Sequence, residues 1–349
     1  MELLQSNKRI IYFDLLRIIA AFAVVVLHVS GDRFIESFPT NEWRTRIIYD
    51  SLVRWCVPIF FMISGALFLS RDKIDIKVLF SRNIVRIIFI FLFWSFFYAL
   101  FEVNVEKGSG VIDVLRLTFE GPFHFWFLKI LLGLYVIIPI IKVITQNKKI
   151  EEYFIITAIL TAYFIPMLIT FIGFYNEDIK SYLIWTCNEI GITIALGYVG
   201  YFVLGHYLCT YRIPDILKKL IIVMGVISVL SVIVLTLWYS NKIKEPSDVF
   251  FNNLNIFTLF ESLAVFLTIK DVKISEKLYT VITKVSKLTL GVYLIHVFVY
   301  RFSDILFGIN SNSFSYVYFI PCFSLIVFVV SCLITAVFAK VPILNKFIS

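Results

Sequence analysis

The sequence predicts an all-α membrane protein, a bundle of about ten transmembrane helices in a single domain that covers residues 1–349. Of its 349 residues, 60% are hydrophobic and only 16% are charged, whereas ordinary soluble domains carry about 25% charged residues. The apolar residues form unbroken runs of about 20, the length that crosses a hydrocarbon core of about 30 Å. Membrane β-strands would instead alternate polar and apolar residues over about ten positions, so helices are favoured.

The apolar runs and the cations between them predict the number and direction of the spans. Their approximate bounds are 11–31, 47–69, 84–103, 123–145, 153–175, 182–208, 219–239, 254–270, 288–307 and 316–339. Lys and Arg are more than twice as frequent in one set of alternate connections as in the other. Since cytoplasmic loops collect these cations, we expect an even number of spans and both termini in the cytoplasm. Residues 278–287, in one of these connections, predict a short amphipathic interfacial helix.

The net charge of +8 would suggest a nucleic-acid partner in a soluble protein. In a chain this apolar it indicates positive-inside topology and attraction to anionic lipid headgroups. We therefore expect the lipid bilayer as a partner, and no nucleic acid. We expect no metal site, because the four histidines are scattered and no HExxH spacing occurs.

The first run carries three ionisable residues on one stripe, Asp14, Arg17 and His28. His28 follows Arg17 by eleven positions, which at about 100° per residue leaves them only about 20° apart. Ionisable groups inside a membrane are costly unless they face a cavity, so they indicate a functional site. An imidazole exchanges protons near neutral pH, and a guanidinium binds phosphate, carboxylate or carbonyl oxygens. The alternative is a buried polar cluster in which Asp14 pairs with Arg17.

The second and third runs carry a weaker signal. In the second, Pro58 loosens the helix, and Ser64 and Gly65 allow another backbone to approach closely. Arg82 and Arg86 open the third run at spacing i, i+4, so a helix would place them on one face, where they could hold phosphates. Anchoring at the cytoplasmic boundary is the alternative interpretation of the two arginines.

Histidines recur in the fourth and ninth runs. His124 and Trp126 open the fourth run at the outer interface, where an aromatic belt accounts for the tryptophan better than for the histidine. In the ninth run, Tyr293 and His296 are i, i+3 neighbours; a packing histidine bonded to a carbonyl is the alternative there. Two carboxylates inside predicted spans also need a partner or a wet cavity, and the sequence assigns neither: Glu189 and Glu261.

Five segments, in this order, resemble a known family. The first is an Arg followed, after ten intervening residues, by a His, here Arg17 and His28. The others are residues 58–65, the pair Arg82 and Arg86, residues 123–135 and residues 291–296. Together they resemble the acyltransferase-3 family of integral-membrane acyltransferases. The likeness covers most of the chain and is greatest to the stand-alone type, which has no SGNH domain and O-acetylates surface glycans.

The resemblance implies an enzyme that moves an acyl group, commonly acetyl, from cytoplasmic acyl-CoA to a hydroxyl of a cell-surface polysaccharide or its lipid-linked precursor. It implies a multi-pass location in a bacterial cell membrane. Acyl-CoA would be a co-substrate, with no permanently bound cofactor. A separate extracellular transferase could act as a partner that completes the transfer.

The same resemblance suggests a role for each candidate residue. We expect His28 to act as general base or as transient acyl carrier, and Arg17 to position the donor. The two arginines that open the third run would bind the donor's phosphates. The acceptor side would be lined by His124, Trp126, Tyr293 and His296. The alternative function is a transporter or flippase of lipid-linked sugars or small solutes, but we find no pair of equivalent halves that would favour it.

Overall fold

A computed structural model describes residues 10–106, 110–190, 192–307, 316–345 and 347–348. This part of the protein is 83% helical and contains no strand, which confirms the all-α prediction. A helix satisfies every backbone N–H and C=O group within one segment, as a chain surrounded by lipid requires.

The helices follow one another with short connections. In chain order they are α1 (Ile11–Gly31), α2 (Asn41–Val53), α3 (Cys56–Leu69), α4 (Val85–Glu106), α5 (Val111–Glu120), α6 (Trp126–Ile144), α7 (Lys148–Ala158), α8 (Ile165–Gly173), α9 (Glu177–Ile190), α10 (Ile192–Thr210), α11 (Asp215–Ile243), α12 (Ile256–Lys270), α13 (Glu276–Ser286), α14 (Thr289–Phe307), α15 (Tyr316–Phe338) and α16 (Pro342–Asn345). Two π-helical turns, Leu79–Ile84 and Ile159–Phe164, lead into α4 and α8.

Eight helical segments within the described residues are long and apolar enough to cross a membrane. They are Ile11–Gly31, Asn41–Leu69, Ile76–Val103, Val111–Ile144, Lys148–Gly173, Asp215–Ile243, Thr289–Leu306 and Tyr316–Phe338. The chain is therefore a multi-pass membrane protein, as predicted. The predicted count of ten is not confirmed, and the cytoplasmic location of the termini stays a prediction.

Two predicted spans are missing from that set, for different reasons. The span at 182–208 falls on α9 and α10, with residue 191 between them outside the described residues. The span at 254–270 corresponds to α12, which has only 15 residues. At 1.5 Å per residue α12 covers about 22 Å, less than the hydrocarbon core. An apolar run read from sequence does not show where its helix ends.

The first helix lies at the centre of the bundle. It packs against α2, α3, α12, α13, α14 and α15, and more than half of its residues are buried. By contrast α11 packs closely on α12 and buries one narrow stripe of mostly small residues. That stripe is Gly225, Ser228, Val232, Thr236 and Ser240. A polar residue on α1 is therefore surrounded by protein, which is where a membrane chain can hold one.

Helices α3 and α10 approach each other closely at two glycines. A Cβ on Gly65 would overlap the carbonyl oxygen of Phe202, and a Cβ on Gly205 would overlap that of Met62. Small residues let membrane helices approach this closely, which confirms the close approach expected at Gly65. Pro58 cannot donate to the carbonyl of Arg54, and the chain leaves regular helix there, between the end of α2 and the start of α3.

Two amphipathic helices complete the description. α13 confirms the helix predicted at 278–287, and Ser286 is its one buried residue. α5 was not predicted, because its charged residues interrupt the apolar pattern; it packs against α4.

Candidate functional site

A cavity of about 490 Å³ lies beside the first half of α1, and we call it the Arg17 cavity. Its polar lining residues are Arg17, Ser64, Asn83, Arg86, Tyr135, Ser286, Lys287, Thr289 and Tyr293. Three of these are cations, and no carboxylate is among the described residues that line it. Such a cavity suits a ligand that presents anionic or carbonyl oxygens.

A short network anchors Arg17 at the wall of this cavity. Its Nη1 donates to Asp14 Oδ1 at 3.1 Å, and the Ser286 hydroxyl donates to the same oxygen at 2.9 Å. Asp14 is only 1% exposed, whereas the Arg17 side chain is 29% exposed. The sequence left open whether Arg17 serves an ion pair or a cavity, and the structure shows that it does both.

The two arginines that precede and open α4 are placed differently. Arg86 lines the Arg17 cavity, and Arg82 is exposed outside it. Arg82 lies in the π-helical turn Leu79–Ile84, which has more residues per turn than an α-helix, so the i, i+4 spacing no longer stacks the two side chains. Lys287, just after α13, supplies the third cation.

A second cavity of about 660 Å³ lies at the other end of α1, and we call it the His28 cavity. Its lining mixes charges of both signs. The four carboxylates are Asp32, Glu36, Asp50 and Asp248, and the three guanidinium groups are Arg33, Arg54 and Arg301. These groups offer many hydrogen-bond donors and acceptors, which suits a polar ligand rich in hydroxyls.

Three of the four histidines meet beside the His28 cavity. The ring centroids are 5.1 Å apart for His28 and His296, 5.5 Å for His124 and His296, and 6.2 Å for His28 and His124. We call them the histidine cluster. Three separate helical segments supply them, so the structure brings together three residues that the sequence placed in different runs. No group of three His, Cys, Asp or Glu side chains in the described chain has the arrangement of a metal site.

The members of the cluster differ in their hydrogen bonds. Nδ1 of His296 lies 2.8 Å from the carbonyl oxygen of Tyr293 and 3.1 Å from that of Val292. Nε2 of His296 is buried without a hydrogen-bond partner among the described residues. Neither ring nitrogen of His124 makes a well-formed hydrogen bond there, although the Leu294 backbone lies close enough to interact with the ring. Leaving a buried polar atom unsatisfied costs about 1–3 kcal/mol, so the fold bears an energetic cost at this cluster.

Three aromatic rings separate the cluster from the Arg17 cavity. The Tyr293 ring is 6.0 Å from that of Phe125 and 5.6 Å from that of Phe127, and we call these three residues the aromatic partition. The Tyr293 hydroxyl donates to the carbonyl oxygen of His124 at 2.6 Å. Tyr293 lines the Arg17 cavity and its ring lies 6.3 Å from that of His296, so it touches both sides.

Trp126 lies apart from the other predicted site residues. Its ring packs against Tyr198 at 5.6 Å, and neither cavity includes it among its lining residues. Tyr98, which the sequence analysis did not single out, takes a place near the cluster instead. Its ring lies 5.2 Å from His124, and its hydroxyl donates to the Leu294 carbonyl. Tyr98 is the one tyrosine of the apolar run 84–103, but its position in the sequence does not indicate which distant histidine it meets.

Ion pairs order the walls of the His28 cavity. Arg54 donates to Asp50, and to the carbonyl oxygen of Phe251 at 2.8 Å. Arg301 pairs with Glu102 at 3.0 Å, which ties α14 to α4. The i, i+4 spacing of Asp50 and Arg54 next to an apolar run was a sequence signal for the first pair.

The two predicted intramembrane carboxylates have different surroundings. Glu189 is exposed on the surface of α9. Glu261 is 2% exposed, and neither carboxyl oxygen has a hydrogen-bond partner among the described residues. It lines a mostly apolar groove of about 350 Å³ between α11 and α12 and is not a lining residue of either cavity.

Comparison with known proteins decides the family. The family model described as "Acyltransferase domain", Acyl_transf_3, matches residues 10–336. The chain belongs to the acyltransferase-3 family. This acyltransferase therefore moves acyl groups other than aminoacyl groups and works as a multi-pass membrane protein. No curated protein and no solved structure matches the chain.

The family match covers both cavities of this acyltransferase and the cluster between them. It spans Arg17, His28, His124 and His296, which are the polar groups that the structure gathers around α1. An acyltransferase needs a base for the attacking group and support for a developing oxyanion. Imidazole and guanidinium groups can meet these needs, and both occur here inside the bundle.

Proposed function

We propose that this acyltransferase takes an acetyl group from cytoplasmic acyl-CoA and transfers it to a hydroxyl of a cell-surface polysaccharide or its lipid-linked precursor. The proposal includes a location in a bacterial cell membrane, with acyl-CoA as co-substrate and no permanently bound cofactor. A separate extracellular transferase could accept the acyl group in place of the glycan.

One observation carries the proposal: two cavities of unlike charge lie at opposite ends of α1, with the histidine cluster between them. The Arg17 cavity offers three cations to the phosphates and carbonyl groups of acyl-CoA. The His28 cavity offers both donors and acceptors to a sugar. A donor and an acceptor that arrive from opposite faces of a membrane would need this arrangement.

The residues divide the chemistry between them. Arg17, fixed by Asp14, would hold the thioester end of the donor, and Arg86 and Lys287 would bind its phosphates. His28 borders the acceptor cavity and would remove the proton of the attacking hydroxyl, a role typical of histidine near neutral pH. The CoA thiolate leaves into the Arg17 cavity, where water can protonate it.

The test uses purified protein in sealed vesicles with acetyl-CoA on one side and lipid-linked glycan on the other. We expect acetyl esters on the glycan, found by mass spectrometry, and none with His28→Ala at equal protein level. Transfer that occurs only when both substrates share one side would contradict the proposal. Glycan that crosses the vesicle wall without consumption of acetyl-CoA would instead indicate a transporter.

A further inference from the structure

The position of the aromatic partition raises a question about how the acyl group reaches His28. Arg17 and His28 are on the same face of α1 but border different cavities. Tyr293 lines the Arg17 cavity, and His296 follows one helical turn later, with its ring 5.1 Å from that of His28. The His124 ring lies about as near to Tyr293, at 6.0 Å against 6.3 Å for His296. Of these two imidazoles, His296 is the nearer to His28, at 5.1 Å against 6.2 Å.

The hydrogen bonds of His296 fix which of its nitrogens is nucleophilic. Carbonyl oxygens only accept hydrogen bonds, so Nδ1, which faces the carbonyls of Tyr293 and Val292, must carry the proton. The neutral ring then holds its lone pair on Nε2. That atom is buried, and no described group bonds to it. His296 is thus held in one orientation and one tautomer, with its reactive nitrogen free.

The other two imidazoles of the cluster lack this combination. Neither ring nitrogen of His124 makes a well-formed hydrogen bond in the described chain. Its one nearby backbone partner, Leu294, also accepts from the Tyr98 hydroxyl, so the tautomer of His124 is fixed less firmly than that of His296. His28 borders the open His28 cavity, where a hydroxyl would arrive. An oriented buried nucleophile next to a base at the acceptor cavity is the arrangement of a two-step transfer.

Resting on the proposed function, we infer that Nε2 of His296 carries the acyl group between the donor and the acceptor. In the first step Nε2 attacks the thioester carbonyl carbon, the C–N bond forms, and the C–S bond breaks with its electron pair on the CoA thiolate. Water in the Arg17 cavity protonates the thiolate.

In the second step the acceptor hydroxyl attacks the acyl carbon while His28 takes its proton. The C–O bond forms, and the C–N bond breaks with its electron pair returning to Nε2. His28 then releases the proton to water in the His28 cavity. Both imidazoles end as they began, and the net reaction converts a thioester and an alcohol into an ester and a thiol.

Isotope exchange tests this inference without any acceptor. Labelled CoA is incubated with unlabelled acetyl-CoA and the purified protein, and label entering acetyl-CoA is measured. An acyl-enzyme makes the exchange possible, whereas direct transfer to an acceptor does not. We expect exchange by the wild type and a loss of at least about 100-fold in His296→Asn. Asparagine keeps a donor for the two backbone carbonyls, so this variant should fold.

Two further variants separate carrier from base. His28→Ala should lose transfer to glycan but keep the exchange, because the base acts only in the second step. His206→Gln removes the buried histidine outside the cluster, which pairs with Glu151 at 2.7 Å, and should exchange within about twofold of wild type.

The possible results distinguish a failure of the carrier inference from a failure of the proposed function. A wild type that acetylates glycan but does not exchange would overturn the carrier and leave the proposed function standing. Exchange that survives in His296→Asn and disappears in His28→Ala would assign the carrier to His28. Label exchange without acetylation of any glycan would support the carrier and count against the proposed acceptor.

Discussion

The two ends of α1 meet different kinds of cavity. The Arg17 cavity gathers three cations and no described carboxylate, whereas the His28 cavity combines four carboxylates with three guanidinium groups. A surplus of cations attracts a phosphorylated ligand over a distance, but balanced charges select a neutral ligand by hydrogen bonds. Under the proposed function, one helix serves two substrates through the different chemistry around its two ends, since its own ionisable residues lie on a single stripe.

The largest expected effect is on kcat. It distinguishes the two cavities, because a change in the His28 cavity should lower kcat without changing acetyl-CoA binding. His28→Ala should lower kcat for acetyl transfer by about 10³-fold, since a positioned base contributes about 10²–10⁴-fold. Its affinity for acetyl-CoA should stay as in the wild type, because His28 does not line the Arg17 cavity. Steady-state kinetics with calorimetric binding checks both. A large loss of acetyl-CoA binding would show that the cavities are not separate.

The reciprocal change lies at the other end of α1. Arg17→Ala should weaken acetyl-CoA binding by about 100-fold, because hydrogen bonds to charged groups contribute about 1.5–3 kcal/mol. Asp14 and Ser286 remain to hold the local backbone, and Arg17→Lys should recover only part of the affinity, since lysine lacks the planar fork. If the wild type and both variants bind acetyl-CoA equally well, the donor does not bind in this cavity.

A packing change tests whether the Arg17 cavity needs a rigid wall. A Cβ on Gly65 would overlap the backbone of Phe202, so Gly65→Ala should lower the free energy of unfolding by about 1–3 kcal/mol. Ser64, the neighbouring residue, lines the cavity, so acetyl-CoA affinity should fall as well. Gly133→Ala is the matched control, since no atom beyond its chain neighbours and its own helix backbone lies within 4 Å of its Cβ position. Thermal melts in detergent would compare them, and equal melting would contradict the packing argument.

A smaller effect should distinguish the two arginines around the π-helical turn. Arg86→Ala should weaken acetyl-CoA binding by about tenfold, as the loss of one charge-assisted contact predicts. Arg82→Ala should bind as the wild type does, because Arg82 lies outside the cavity. If both substitutions weaken binding equally, Arg82 also reaches the donor, and the original sequence prediction for the pair stands.

The smallest expected effect concerns the support of Arg17. Ser286→Ala removes one donor from Asp14 and should raise the KM for acetyl-CoA by about two- to fivefold. Ser275 is the N-cap residue before the same helix, and its side chain makes no capping hydrogen bond, so Ser275→Ala is a control that should leave the KM unchanged. Identical kinetics in the two variants would show that Asp14 holds Arg17 without help.

The fold class could be predicted from the sequence, because a chain surrounded by lipid has few alternatives to the helix. It also placed Asp14, Arg17 and His28 on one stripe, since helical periodicity is local. The convergence of His124 and His296 on His28 depends on how distant helices pack, and only the family resemblance pointed to it.

Other features could not be predicted from the sequence, for physical reasons. Arg82 and Arg86 have the spacing of helical neighbours, but Arg82 lies in a π-helical turn, which the composition of the segment does not predict. The end of α12 likewise depends on where the chain turns, although its apolar run predicted a span. Trp126 fits the family pattern, yet it packs against Tyr198 and stays outside both cavities.

The aromatic partition has a consequence for the direction of turnover. Under the proposed function, spent coenzyme returns to the metabolic pool that recharges it, and the finished ester stays with the envelope. Neither product has to leave through the cavity by which the other substrate enters. Mass action in each reservoir then draws the reaction forward independently, and an accumulating ester would not compete with coenzyme for the same binding surface.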